Sequence, residues 1–152
     1  REGMEQLKVW PKGHYEKLIK LCKEKIPLLP IIQLGGKDCE RLSGVDQAFL
    51  GQSFELTKWI IKNSLCHIDC EGGLVHLATQ LDTKCIVIFG PTPVHMYGYE
   101  QNVNIVSSVC NNCMGLHDEW AYCCYQLETP NLCMKSIEPL TVLAEIQLIK
   151  GD

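Results

Sequence analysis

A glycine turn between a strand and a helix is the feature that most constrains this 152-residue chain. The segment Asp69-Cys70-Glu71-Gly72-Gly73-Leu74-Val75-His76-Leu77-Ala78 is followed by the apolar run 85–89 and then by Gly90-Pro91-Thr92. This order of strand, glycine turn, helix, strand and glycine turn predicts a βαβ unit of a parallel sheet. The start of such a helix is a natural anion site because its first N–H groups are free and its dipole end is positive. A phosphate-bearing ligand and a purely structural turn both fit the two glycines.

Composition and charge exclude several classes of protein. Apolar residues make up 46% and charged residues 21%, which is typical of a globular domain that buries its own core. The formal net charge of −4 argues against a nucleic-acid surface or a polybasic membrane patch. The sequence shows neither an apolar run long enough to span a bilayer nor the pattern of a signal peptide.

Hydrophobic patterns predict helices that alternate with strands, and therefore an α/β fold. Helices are expected from Pro11 to about Lys25, from Ser53 as N-cap to Lys62, over 74–81, and from Pro139 to about Lys150. The predicted strands are 29–34, 47–50, 66–70, 84–89 and 103–106. Strands that are apolar throughout fit a parallel sheet covered on both faces. Residues 110–131 lack a sustained period and are predicted to be irregular, within a Cys-rich loop at 107–134.

The ten cysteines fall into two groups. Five are scattered through predicted core elements, where free thiols are readily buried, and they favour a reducing cytoplasm: Cys22, Cys39, Cys66, Cys70 and Cys85. The others cluster toward the C-terminal side: Cys110, Cys113, Cys123, Cys124 and Cys133.

The C-terminal cysteines have spacings typical of a metal site. Cys110 and Cys113 are separated by two residues, and Cys133 with either Cys124 or Cys123 completes four thiolates. Four thiolates suit a closed, structural zinc or iron ion. Reduced thiols and a disulfide are the alternatives.

Four segments, in order along nearly the whole chain, resemble glycosyltransferase family 9, the ADP-heptose:lipopolysaccharide heptosyltransferases. The four segments are Lys8-Val9-Trp10-Pro11 with His14; Glu71-Gly72-Gly73-Leu74-Val75-His76-Leu77; Phe89-Gly90-Pro91-Thr92; and Cys133-Met134 with Ile137, Pro139 and Val142. The resemblance implies a GT-B enzyme with two Rossmann-like domains, of which residues 1–152 form the C-terminal donor (nucleotide-sugar)-binding domain. It further implies that the N-terminal acceptor domain, the catalytic base and this domain's first strand lie outside the chain. We therefore expect the fragment alone to be inactive.

The resemblance also implies roles for residues near the donor phosphates. Lys8 would contact the pyrophosphate, and the N–H groups of Gly72, Gly73 and Leu74 would bind phosphate oxygens. The family usually has Asp-Thr-Gly-Leu in this turn, so Glu71 would replace an aspartate that faces the sugar hydroxyls. The alternatives are a solvated lysine and a carboxylate that only stabilises the helix start.

Further candidates flank this turn. His76 would lie near the donor, or else be a core histidine bonded to a carbonyl. Thr92 would bring a hydroxyl to the ligand at a strand's carboxyl end, or simply belong to a turn. The nucleoside would contact Asp38 or Glu40, with Gln52 beside the base.

The reaction implied by the resemblance is an inverting transfer of a heptose or related sugar from an ADP-sugar, with no cofactor required for catalysis. The acceptor would be a lipopolysaccharide core or a protein, in the bacterial cytoplasm, and a peripheral position at the inner membrane and a homo-oligomer are both left open. An NAD-binding module is disfavoured because the chain has no G-x-G-x-x-G fingerprint. The remaining alternative is a non-catalytic metal-binding or protein-interaction domain.

Overall fold

The computed structural model describes residues 7–116, 120, 124 and 128–151. Its helices are α1 (Lys12–Lys25), α2 (Phe54–Lys62), α3 (Gly73–Gln80), α4 (Val94–Tyr97), α5 (Leu132–Lys135) and α6 (Pro139–Gly151). Its strands are β1 (Ile32–Gly35), β2 (Gln47–Leu50), β3 (His67–Cys70), β4 (Cys85–Phe89) and β5 (Val103–Val106). The predicted α/β class is confirmed.

The strands pair in parallel and form two sheets. One sheet contains β1 and β2, and the other has the order β3-β4-β5. Cys70, the last residue of β3, lies opposite Ile88 of β4, so the turns after these strands emerge at the same edge of the sheet. Within the described ranges, no strand pairing joins β1 to β3.

The core is built around β4, whose five residues are all buried. Ile86 and Ile88 pack into a cluster with Trp10, α1 and α6, whereas Val87 and Phe89 pack on the opposite face with residues of α2 and α3. Side chains alternate between the two faces of a strand, so a strand covered on both faces must be apolar throughout. Burying each such side chain contributes about 1.5–3 kcal/mol to stability.

The predicted elements are confirmed with small shifts at their ends. Ser53 caps α2 by accepting a hydrogen bond from the Leu56 N–H at 3.3 Å. The strand predicted from residue 29 begins only at Ile32, because the chain first makes a turn in which the Leu29 N–H donates to the Ile26 carbonyl. The short helices α4 and α5 were not predicted. Helix α5 begins just beyond the stretch 110–131 that was expected to be irregular and overlaps the end of the predicted Cys-rich loop at 107–134. In the part of the chain that the structure describes, no helix has the length and apolar character to cross a membrane.

Candidate functional site

The turn after β3 leaves donor groups open at the start of α3. The Glu71 N–H donates to the Ile88 carbonyl at 3.3 Å and so extends the hydrogen bonding between β3 and β4 by one residue. Gly72 is the N-cap of α3. Val75 and His76 donate to the Gly72 carbonyl, whereas the N–H groups of Gly73 and Leu74 meet no acceptor among the described residues. A Cβ added at Gly73 would have no heavy atom within 4 Å. The turn therefore presents free donors beside open space, as an anion requires.

Lys8 and Glu71 form an ion pair at this turn. The Lys8 Nζ lies 2.5 Å from the Glu71 Oε2, and the two side chains are 34% and 8% exposed. The Glu71 Oε2 is buried without a hydrogen bond of good geometry, so the contact is primarily electrostatic. The family resemblance assigned these residues to different parts of a donor, whereas the structure places their charged groups against each other. The predicted contact of Glu71 with sugar hydroxyls stays a prediction.

The segment that carries Lys8 is anchored to the end of β3. Trp10 is fully buried, and its Nε1–H donates to the Ile137 carbonyl at 2.9 Å. The Trp10 backbone N–H points to the Cys70 Sγ at 3.2 Å, and the Tyr15 hydroxyl lies 3.4 Å from the same sulfur. Burial raises the pKa of the Cys70 thiol to about 11, which keeps it protonated at neutral pH. Cys70 is thus a structural thiol behind the turn.

His76 lies in the first turns of α3 and is held by a residue that sequence reasoning missed. Its Nδ1 is 2.9 Å from the Tyr99 hydroxyl, and the two rings meet edge-on with centroids 5.6 Å apart. Tyr99 follows α4, with 22 residues between it and the histidine. No local pattern links the two positions, so only the fold brings them together.

The turn after β4 is covered rather than open. Gly90, Pro91 and Thr92 are all buried, and Thr92 is only 3% exposed. The Gly90 and Pro91 carbonyls accept hydrogen bonds from the N–H groups of Asn112 and Met114 at 3.2 and 2.9 Å. The start of the Cys-rich loop therefore lies over this turn. The predicted contact of the Thr92 hydroxyl with a ligand stays a prediction, at a buried position.

The three candidate nucleoside contacts are exposed. Glu40 pairs with Lys12 at 2.5 Å, and this hydrogen bond lowers the pKa of the Glu40 carboxyl. The Gln52 side chain donates to the Leu50 carbonyl at 3.3 Å, and Asp38 lies in the turn after β1. Among the described residues, no hydrogen bond or ion pair links these side chains to Lys8 or Glu71.

Four of the clustered cysteines are neighbours in space. Burial is the largest cause that raises the pKa of the Cys133 thiol to about 12, and the thiols of Cys110, Cys113 and Cys124 add to that rise. Cys123 lies outside the described residues. The described cysteines are all free thiols. Nevertheless, no group of three or more His, Cys, Asp or Glu side chains is arranged to hold a metal ion within the described ranges.

Comparison with known proteins shows that a solved structure shares this architecture. The parallel strands and flanking helices form an α/β fold similar to that of a heptosyltransferase, as the sequence predicted. One similar solved structure is Escherichia coli heptosyltransferase WaaC with ADP, at a TM-score of 0.66 and 18% sequence identity. The match covers 93% of this chain and 40% of WaaC, so the chain spans less than half of that protein. No protein-family model matches the chain, and no curated protein sequence matches it.

Proposed function

We propose that this chain is the donor-binding domain of an inverting glycosyltransferase and holds the diphosphate of an ADP-sugar at the start of α3. The observation that carries this proposal is the combination of free Gly73 and Leu74 N–H groups with the Lys8 ammonium beside the same turn. The fold likeness to a heptosyltransferase whose structure contains ADP supports the choice of nucleotide.

The site's contribution to the reaction would be electrostatic. Phosphate oxygens accept hydrogen bonds from the two N–H groups at the positive end of α3. Lys8 supplies a full positive charge where negative charge accumulates on the departing diphosphate, and such fixed charges stabilise a transition state. The base that deprotonates the acceptor would come from an N-terminal domain, so the present chain alone would bind donor without transferring sugar.

The finer assignments belong to the same proposal. A heptose or related sugar is the proposed group, and a lipopolysaccharide core or a protein is the proposed acceptor, in a bacterial cytoplasm. Catalysis on this scheme has no required metal ion, and the N–H groups and Lys8 are the groups proposed to stabilise the diphosphate charge.

Calorimetric titration with ADP, with UDP and GDP alongside, tests the proposal. We expect ADP to bind with a Kd of roughly micromolar to millimolar, equivalent to about 4–8 kcal/mol. Gly73→Val places a branched side chain among the free donors and should weaken ADP at least about tenfold. Gly13→Val is the matched control, since Gly13 also has nothing within 4 Å of an added Cβ but lies in α1. A flat trace for all three nucleotides on folded protein would overturn the proposal.

A second candidate function, a metal-binding or protein-interaction domain, is favoured by the proximity of four thiols. Their chemistry fits zinc or iron, held by Cys110, Cys113, Cys124 and Cys133 or with Cys123 as a substitute, whereas their described arrangement is not yet that of a bound site. A bound metal would add to folding stability.

Elemental analysis of protein purified under reducing conditions tests this second candidate. A metal site predicts one zinc or iron per chain, lost in Cys133→Ser, together with a lower melting temperature after chelation. ADP binding that survives Cys133→Ser would show that the two functions are separate. Metal-free protein with unchanged melting in chelator would contradict the metal site.

A further inference from the structure

A carboxylate stands where an anion is proposed to bind. Glu71 directly precedes the N-cap of α3, and its side chain is almost completely buried. A second carboxylate precedes it by two residues in the chain, where the Asp69 side chain accepts a hydrogen bond from the Cys70 N–H at 2.7 Å. Negative charge at this turn opposes a diphosphate, and burial of an ionised carboxylate is unfavourable unless a cation accompanies it.

Lys8 is that cation. Its ammonium is in contact with the Glu71 Oε2, and about a third of its side chain remains exposed. An ammonium has three donors, so the exposed part is free to meet a second anion. The backbone just after Lys8 is fixed through Trp10 to Cys70 and Ile137. The lysine is therefore held at the turn from both its backbone and its charged end.

We propose that Glu71 is an internal counter-ion that occupies Lys8 in the ligand-free protein and competes with a diphosphate for it. The inference rests on the proposed function and deepens it. A diphosphate that binds the Gly73 and Leu74 N–H groups draws the Lys8 ammonium away from Glu71. When the diphosphate leaves, the ammonium returns to the carboxylate. Glu71 thus weakens diphosphate binding and favours release of the nucleotide product.

Two substitutions vary the length and the charge of the Glu71 side chain separately. A glutamate reaches one methylene further than the aspartate that the resemblance leads one to expect here. Glu71→Asp keeps the negative charge but shortens that reach, whereas Glu71→Gln keeps the length and removes the charge. The two substitutions separate loss of the contact from loss of the repulsion.

The first measurement is the rate at which acetic anhydride labels Lys8 in ligand-free protein, followed by peptide mass spectrometry. We expect both Glu71→Gln and Glu71→Asp to raise Lys8 labelling several-fold. The matched control is Glu138→Gln, which removes the partner of Lys17 in an exposed pair 3.5 Å apart and should leave Lys8 labelling unchanged. Unchanged Lys8 labelling in both Glu71 variants would overturn the counter-ion role.

The second measurement is ADP titration of the same variants. Glu71→Gln should tighten ADP binding about tenfold, equivalent to 1.4 kcal/mol, and Glu71→Asp should tighten it less. Increased labelling with equal or weaker ADP binding in Glu71→Gln would overturn the competition. If no variant binds ADP, the proposed function fails and takes the competition with it, while the labelling still decides whether the ion pair exists. A folding check by circular dichroism accompanies each variant.

Discussion

The turns after β3 and β4 both contain glycine but have opposite surroundings. Gly90 directly follows β4, whereas Glu71 separates the end of β3 from Gly72 and Gly73, and both turns lie at the same edge of the sheet. Gly73 has open space where a side chain would be, whereas a Cβ at Gly90 would lie 2.5 Å from the Met134 Sδ and 3.3 Å from the Cys133 Sγ. The space beside Gly73 is therefore open to a ligand, whereas the space beside Gly90 is filled by Met134 and Cys133.

This difference shows why glycine after a strand is an ambiguous signal. A missing side chain permits close approach, but the sequence does not say whether a ligand or another chain segment approaches. At β4 the approaching segment is α5, whose Met134 is fully buried. At β3 no described segment covers the free N–H groups of α3.

The largest expected change in free energy comes from adding a methyl group at Gly90, in the covered turn after β4. Gly90→Ala should lower the free energy of unfolding by about 1–3 kcal/mol, because the buried Met134 must move to accommodate it. Urea denaturation measures this loss. Shortening the neighbour with Met134→Ala should make the double variant less destabilised than the sum of the single ones. A strictly additive pair would show that Gly90 and Met134 do not oppose each other.

Removal of the lysine tests the open turn. Lys8→Met keeps most of the apolar stem and deletes the charge, so ADP affinity should fall about tenfold, or 1.4 kcal/mol. Lys17→Met is a suitable control because Lys17 lies in an exposed pair with Glu138, outside the turn. Equal losses in the two variants, measured by calorimetry, would mean that only general surface charge attracts the nucleotide.

Removal of the Tyr99 hydroxyl should cause a smaller change in free energy. Tyr99→Phe removes the hydrogen bond to the His76 Nδ1, which is expected to cost about 0.5–1.5 kcal/mol of stability. Nitrogen NMR of the His76 ring should show an altered Nδ1 resonance in this variant. Tyr97→Phe, at the end of α4, provides the comparison and should leave the His76 ring signal unchanged. An unaltered Nδ1 signal in Tyr99→Phe would contradict the contact.

The smallest expected effect completes the comparison of the two glycines. Gly73→Ala adds the same methyl group as Gly90→Ala but in open space, so stability should change by less than about 0.5 kcal/mol. The same urea denaturation measures both variants. A loss as large as that of Gly90→Ala would show that the turn after β3 is also packed.

Local patterns were sufficient for most of the fold. The apolar run at β4, the Ser53 cap and the proline at the start of α6 each act through neighbours in sequence, so their elements were predicted closely. The division of the strands into two sheets depends on long-range pairing, which periodicity does not encode. The four-residue helices α4 and α5 are too short to show a helical period.

The candidate site was predictable only in part, for a related reason. The glycines were identified from sequence because they precede a helix start, and Lys8 was identified through the family resemblance. The partnerships of Lys8 with Glu71 and of His76 with Tyr99 join distant positions, and each required the folded chain. Glu71 is a carboxylate at a proposed anion site, and the structure shows that Lys8 is its cation.

The indole of Trp10 links the candidate site to the far end of the chain. It donates to the carbonyl of Ile137, which lies just before α6, while the backbone beside it contacts the end of β3. Opening of α6 would therefore loosen the segment that carries Lys8, even though α6 contributes no residue to the candidate phosphate site. By thermodynamic linkage, a nucleotide bound at Lys8 would slow amide hydrogen exchange in α6, where no ligand atom makes contact.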